Sequence, residues 1–268
     1  MSKSNAIKTF RDLLAFLTII PMGSGEDFVT TSAEFMFLFP LIGGLIGLFA
    51  AAYFQGTLLV ISNLLAFVNV YFQLVPVQIL LRLALAIMTL AFLLVLTGLQ
   101  HFDGLVDLGN AIGLNKLEER REAAHAWFVS YKGAALAISF ELVAFLGLFF
   151  LNWQIAFIAI LAAEVAAKLA MVTIVTVGQP AHKGLGARFM EKAKQKRNLI
   201  AYVISSLIII PLLGWIGLLV IAASVLVGVL MERVGKSVFG GVSGDMIGAT
   251  NETARAVTLV LLAGVLAL

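Results

Sequence analysis

Apolar residues occupy this chain in long runs: Phe35 to Tyr53, Leu58 to Val75, Val77 to Leu99, Ala134 to Leu151, Ile155 to Val177, Leu199 to Leu213, Ile216 to Met231 and Ala256 to Leu268. Crossing a bilayer takes about 20 apolar residues of helix, since a helix satisfies its own backbone hydrogen bonds in hydrocarbon. The runs predict an all-α polytopic membrane helix bundle, one integral membrane domain over residues 1–268. Upstream, apolar residues at 7, 10, 13, 14, 17 and 20 are interleaved with Lys8, Arg11 and Asp12, the spacing of an amphipathic helix on the membrane surface. Residues 1–30 are read as a cytoplasmic or interfacial segment that is scaffold and not a cleaved signal.

Charge orients these helices. Of the 18 Lys and Arg residues, all except Arg82 and Lys168 fall in the N-terminal segment, 100–132, 178–198 or 232–255. The positive-inside rule puts all four segments in the cytoplasm. An even number of crossings must then separate the N-terminus from residues 100–132, where three apolar runs lie. Ser62, Asn63, Asn69 and Gln73 interrupt Leu58 to Val75 and Pro76 ends it, so this run is expected to be re-entrant or interfacial. Pro211 and Gly214 divide 199–231 into two short antiparallel helices. The total is about seven transmembrane helices, with the C-terminus outside.

Composition narrows the function classes. An apolar fraction of 61% against 12% charged residues excludes a soluble fold. With no cysteine, disulfides, Fe–S clusters and thiolate zinc sites are impossible. The net charge of +3 comes from loops that flank membrane helices, which argues against nucleic acid as a partner.

Polar residues that could carry chemistry gather in a few stretches. In Thr97-Gly98-Leu99-Gln100-His101-Phe102-Asp103-Gly104-Leu105-Val106-Asp107-Leu108-Gly109-Asn110, Asp103 and Asp107 stand four apart and share a helix face. Paired carboxylates repel unless a cation lies between them, and Mg²⁺ takes carboxylates together with substrate phosphates and water. Asn110 and His101 lie within a turn of that face; the alternative is a solvated helix end with incidental acids. In Gly240-Gly241-Val242-Ser243-Gly244-Asp245, backbone N–H groups around Gly241, Ser243 and Gly244 could cradle phosphate, and Asp245 could join the same metal. Close helix packing at Gly244 and Gly248 explains the glycines equally well. Glu164 and Lys168 form an i, i+4 pair inside an apolar helix, either as a structural ion pair or with Lys168 reaching a phosphate. Lys183 and Arg188, beside Gly184-Leu185-Gly186, could receive an anionic substrate.

Three motifs in this order, His101-Phe102-Asp103-Gly104-Leu105-Val106-Asp107, Gly184-Leu185-Gly186-Ala187 and Gly240-Gly241-Val242-Ser243-Gly244-Asp245-Met246-Ile247-Gly248-Ala249-Thr250, resemble those of the cobalamin synthase family, adenosylcobinamide-GDP ribazoletransferase, over most of the chain. The resemblance implies a membrane-bound, Mg²⁺-dependent transferase joining α-ribazole or its 5′-phosphate to adenosylcobinamide-GDP, releasing GMP. It implies Asp103, Asp107, Asn110 and Asp245 at the metal, with a carboxylate or His101 as base and Lys168 as a phosphate contact. The family's third aspartate is replaced by Asn110, and its Met-Lys-Asp-Ser pattern reads Trp127-Phe128-Val129-Ser130. Only Ser130 matches there, and Lys132 is the nearest replacement for the lost positive charge at the substrate. These departures suggest an archaeal-type or divergent member. The bilayer is the other expected partner; the chain could also pair with a second copy, and soluble pathway proteins could dock on the N-terminal helix and the basic loop. A CDP-alcohol phosphotransferase lacks its Asp-Gly-x-x-Ala-Arg pattern here. A transporter would place its acids nearer the midplane.

Overall fold

The computed structural model describes residues 3–22, 27–72, 77–126, 128–192 and 195–266. Its helices are α1 (Lys3–Leu17), α2 (Phe28–Glu34), α3 (Phe39–Phe72), α4 (Val77–Leu96), α5 (Gln100–Ala111), α6 (Leu117–Ala124), α7 (Tyr131–Phe150), α8 (Trp153–Val177), α9 (Leu185–Lys192), α10 (Gln195–Leu213), α11 (Trp215–Phe239) and α12 (Gly244–Leu266). Among the described residues, α3, α4, α7, α8, α10 and α11 are long and apolar enough to cross a membrane. Helix α12 has 23 residues but carries Asp245, Glu252 and Arg255, and it packs against α5, α7, α8 and α11.

The predicted re-entrant segment is instead the second half of α3, a continuous helix of 34 residues. Its polar side chains do not break it because they bond back to their own helix: Asn63 Nδ2 donates to the Leu59 carbonyl at 2.7 Å and Ser62 Oγ to the same oxygen at 3.1 Å. Residues 73–76 of that prediction lie outside the described residues. The parity argument survives, since fusing two runs into α3 leaves α3 and α4 as the two crossings before residues 100–132. Likewise α10 and α11 meet at Gly214, whose φ of 59° suits glycine, and they form two full-length helices of 19 and 25 residues where short ones were expected. The segments 100–132 and 232–255 are largely helical, with only residues 240–243 between α11 and α12.

Glycines let α3 lie directly on α8. A Cβ at Gly47 would come within 2.7 Å of Leu161 Cα, and one at Gly43 within 2.6 Å of the Glu164 carbonyl oxygen. Leu59, Leu64, Val203, Leu207 and Trp215 point outward, as lipid-facing side chains do. At the end of the bundle away from α5, Arg82 donates to the carbonyls of Phe149 at 2.9 Å and Leu151 at 3.2 Å, closing the last turn of α7 while stacking over Trp153. Helix α1 buries Leu13, Leu14 and Leu17, and Phe16 meets the rings of Phe28, Phe39 and Phe189, so it is docked on the protein as well as amphipathic.

The cysteine-free chain suits single-cysteine topology mapping. Glu119→Cys, Lys183→Cys and Lys236→Cys are expected to react with a membrane-impermeant maleimide from one side of sealed vesicles, and Gln154→Cys from the other. Labelling of the first three from different sides would refute the helix order across the membrane.

Candidate functional site

The site starts at a reversal between α4 and α5. Gly98 and Leu99 both take left-handed backbone conformations, with φ of 66° and 59°. For leucine this costs on the order of 1–2 kcal/mol. The turn is braced by Ile19, whose N–H donates to the Leu96 carbonyl at 2.9 Å and whose side chain fills the space a Cβ on Gly98 would need. Helix α5 leaves this turn with Asp103 and Asp107 on one face, as their spacing predicted. Gly104 lies against α12 so closely that a Cβ would collide with the Asp245 carbonyl oxygen and stand 2.9 Å from Ala249 N. This backbone-to-backbone approach brings Asp245 to the aspartates of α5. All three line one cavity of about 550 Å³, together with His125 and Phe128.

The electrostatics of that cavity are those of crowded carboxylates. Burial, then the charges of Asp245 and Asp103, push the Asp107 carboxyl up to about 8. Among the described residues no three His, Asp or Glu side chains converge tightly enough to hold an ion by themselves. Mg²⁺ asks for less, since it commonly takes one or two carboxylates and completes its shell with phosphate and water. One or two carboxylates drawn from Asp103, Asp107 and Asp245, which line one cavity, fit that mode.

Asn110 does not join them. Its Oδ1 accepts from the Ser130 N–H at 2.9 Å and its Nδ2 donates to the Phe128 carbonyl at 3.1 Å, so the amide ties α5 to the start of α7 and faces away from the cavity. Ser130 is the N-cap of α7, accepting from the Gly133 N–H at 3.0 Å. Lys132 lies outside the cavity too, with Nζ 3.4 Å from the Ile112 carbonyl oxygen. Trp127 lies outside the described residues.

The glycine loop is built for packing and capping. Gly240 ends α11 in a left-handed conformation at φ 77°, and its N–H donates to the Lys236 carbonyl. The Gly241 N–H goes to the Gly235 carbonyl at 3.2 Å and the Val242 N–H to the Gln179 carbonyl at 2.8 Å, so neither is left for phosphate. A Cβ on Gly241 would come within 2.6 Å of the Gln179 carbonyl oxygen, and one on Gly186 within 2.7 Å of the Val242 carbonyl oxygen. The two glycine motifs therefore pack against each other. Ser243 Oγ donates to Asp245 Oδ2 at 3.1 Å and accepts from the Met246 N–H at 3.3 Å, which orients the aspartate at the start of α12. Gly244 sits against Leu185. Lys183 and Arg188 are exposed on and before α9 and line neither this cavity nor a smaller one beside it.

Lys168 is spent inside the bundle. Its ammonium donates to Glu164 Oε2 at 3.2 Å and Asn251 Oδ1 at 2.7 Å, with no exposure, which leaves it no phosphate to meet. Arg255, also fully buried, donates from Nε to Glu164 Oε1 at 2.5 Å and from a terminal nitrogen to Glu252. Asn251 Nδ2 donates to Glu252 Oε1 at 3.0 Å. Glu141 of α7 faces the same network. His101 stands at its end, with Nδ1 3.8 Å from Glu252 Oε1. Burial, then the charges of Lys168 and Arg255, hold His101 well below its ordinary value, so the ring is neutral; it lines the smaller cavity and not the large one.

Sequence reasoning missed three elements of this region. Arg255 was counted among loop charges, although the i, i+3 spacing of Glu252 and Arg255 on a helix was a usable signal. His125 lines the aspartate cavity but stands outside every motif. Two arginines fasten α6 over the site: Arg120 donates to the carbonyls of Leu114 at 2.7 Å and Ser237 at 2.9 Å, and Arg121 to those of Ala181 at 2.5 Å and Phe239 at 3.1 Å. Their acceptors are the last carbonyls of α11, which lack partners within the helix, together with the Leu114 and Ala181 carbonyls outside it.

Residues 9–263 match the family of cobalamin-5-phosphate synthases. The chain belongs to that family. It is similar to the adenosylcobinamide-GDP ribazoletransferase of Methanosarcina barkeri, at 27% identity over 97% of this chain and 92% of the relative. Proteins of that name in Haloquadratum walsbyi and Thermococcus onnurineus are each 30% identical over 94% of this chain and 96% of their own. No solved structure matches the chain. Membership makes this protein a multi-pass membrane transferase acting late in cobalamin synthesis, and it removes the CDP-alcohol phosphotransferase and transporter readings.

Two outcomes follow from the charges. With Asp107 pushed up to about 8 from an unfolded value near 3.8, the folded metal-free protein holds a proton that the unfolded chain releases. Its contribution to stability is therefore present below about pH 4 and lost as pH rises through 8. Thermal unfolding in detergent should show wild type losing stability over that window relative to Asp107→Asn, and Mg²⁺ restoring more of it at high pH; identical pH profiles would contradict this. Arg255→Met leaves Glu252 buried without its cation and Glu164 with Lys168 alone, and should cost about 3–5 kcal/mol, read as a lowered unfolding midpoint. An unchanged midpoint would remove the network from the fold's support.

Proposed function

We propose that this transferase joins α-ribazole, or its 5′-phosphate, to adenosylcobinamide-GDP, forming adenosylcobalamin or its 5′-phosphate and releasing GMP. The observation that carries this reading is the meeting of Asp103, Asp107 and Asp245 in one open cavity. Relatives of the chain bear the name of that activity. By the positive-inside rule the cavity faces the cytoplasm of a cell membrane, with α12 as a seventh crossing.

The reaction forms a bond from the ribazole hydroxyl oxygen to the phosphorus next to cobinamide. It breaks the phosphoanhydride bond to GMP, and the hydroxyl proton must go to a base. Mg²⁺ held by one or two of Asp103, Asp107 and Asp245 would offset the negative charge of the diphosphate. The chain's own residues bind and orient. Ser243 holds Asp245 by its 3.1 Å hydrogen bond, and Gly104 keeps α5 against α12 so that the carboxylates stay opposed. The proton goes to one of these carboxylates or to His125, the titratable groups of this wall, since His101 does not line it. His125, also in the wall, is available to the diphosphate oxygens.

Detergent-purified protein given adenosylcobinamide-GDP, α-ribazole and Mg²⁺ is expected to release GMP with stoichiometric corrinoid product. Asp103→Asn and Asp245→Asn should each lower kcat by about 10²-fold or more, as losing a charge-stabilising group does, and EDTA should abolish turnover. Wild-type protein that binds both substrates yet releases no GMP would refute the assignment.

A further inference from the structure

The buried network holds three acids, Glu141, Glu164 and Glu252, against two cations, Lys168 and Arg255. Glu141 lies ten residues beyond the start of α7, about 15 Å along its axis and so midway through a hydrocarbon layer of about 30 Å. An uncompensated carboxylate is most costly at that depth. The donors show which acid lacks a cation. Glu164 accepts on both oxygens, from Arg255 Nε and from the Lys168 ammonium. Glu252 also accepts on both, Oε1 from Asn251 Nδ2 at 3.0 Å and Oε2 from Arg255. Each is thereby held as an anion. Glu141 Oε2 is buried and receives no hydrogen bond, yet its carboxyl lies within hydrogen-bonding reach of Glu252. No other charge comes to its aid. Helix α5 carries no Lys or Arg, the Arg82 side chain of α4 is held by carbonyls at the far end of α7, and His101 stands on the other side of Glu252, 3.8 Å from it.

We propose that Glu141 is a proton-binding site at mid-depth in the bilayer, a neutral carboxylic acid whose O–H donates to Glu252 and so bonds α7 to α12. Two carboxylates so placed repel, whereas one proton between them makes a charge-assisted hydrogen bond. Ala137, Ala144 and Leu148 on the same stripe of α7 are buried, while Ile138 and Leu142 beside Glu141 are exposed to lipid. The acid, itself half-buried, stands on the seam between the helix contact and the acyl chains. That placement gives it a reactivity the surface acids lack. A hydrophobic carbodiimide dissolved in the bilayer accepts the carboxyl proton on one nitrogen while the carboxyl oxygen adds to its central carbon, and the O-acylisourea rearranges to an N-acylurea with nothing released. The addition requires the proton, so Glu164 and Glu252 are inert to it. This site does not depend on which reaction the aspartate cavity performs.

Full-length protein in lipid nanodiscs, treated with dicyclohexylcarbodiimide at neutral pH and mapped by peptide mass spectrometry, should carry the adduct on Glu141 and not on Glu164 or Glu252. The water-soluble carbodiimide EDC, given with glycine ethyl ester, should modify the exposed Glu118 and Glu119 and leave Glu141 untouched. Glu141→Gln keeps a donor for Glu252 and adds no charge, so its unfolding midpoint in detergent should stay within about 2 °C of wild type, whereas Glu252→Gln removes an anion from Arg255 and should lower the midpoint by more than that. An unlabelled Glu141, or one labelled as readily by EDC, would overturn the site. A clear loss of stability in Glu141→Gln would overturn it too, because it would show Glu141 to be an anion that Arg255 needs. If Glu252→Gln does not fold, the comparison of Glu141→Gln with wild type still decides.

Discussion

Arg255 holds a full positive charge at the centre of the bundle, with its guanidinium shared between Glu164 of α8 and Glu252 of α12. A guanidinium in hydrocarbon costs several kcal/mol unless it is paired, and so do the carboxylates beside it. None of the three can be withdrawn alone, which obliges α8 and α12 to stay in one register. Lys168 and Asn251 add a second bridge between the same helices. Asp245 lies seven residues before Glu252 on α12, about 10 Å along the axis. Once the network sets the height of α12, the level at which Asp245 meets α5 is set with it.

The second half of that positioning is steric. Gly104 removes the side chain that would separate α5 from α12, while Gly109 and Gly133 do the same between α5 and α7. Helix α5 is thus held between two backbones by contact, and its polar face is free to turn toward the cavity. Charge fixes one coordinate of the site and the absence of side chains fixes another. The carboxylates themselves contribute repulsion, which the scaffold must withstand.

Much of this was legible in the chain. The apolar runs marked the helices, the parity of basic segments predicted which ends lie together, and the spacing of Asp103 and Asp107 put them on one face. What failed had physical reasons. Composition counted Ser62 and Asn63 as interruptions, but a helix absorbs such residues when they bond to its own carbonyls. A tally of positive charge could not show that Arg255 points inward while Arg233 points out. Glycines in a loop suit a phosphate cradle and a close helix contact equally, and only the partners of the Gly241 and Val242 N–H groups separate the two. Asn110 occupies a position suited to a ligand, yet its amide is consumed by backbone that is distant in sequence. The N-terminal helix looked like a surface anchor because Phe189, which its Phe16 meets, is distant in sequence.

Helix α3 is about 51 Å long, against a hydrocarbon layer of about 30 Å, so it must tilt strongly or stand proud of the bilayer. Its inner surface is the glycine stripe that rests on α8 beside Glu164 and Lys168. Lipids with longer or shorter acyl chains change the tilt that best matches such a helix. Through Gly43 and Gly47 that adjustment bears on the helix whose carboxylate holds Arg255. The glycine stripe thus joins the helix most exposed to a change in bilayer thickness to the one that carries the buried charges.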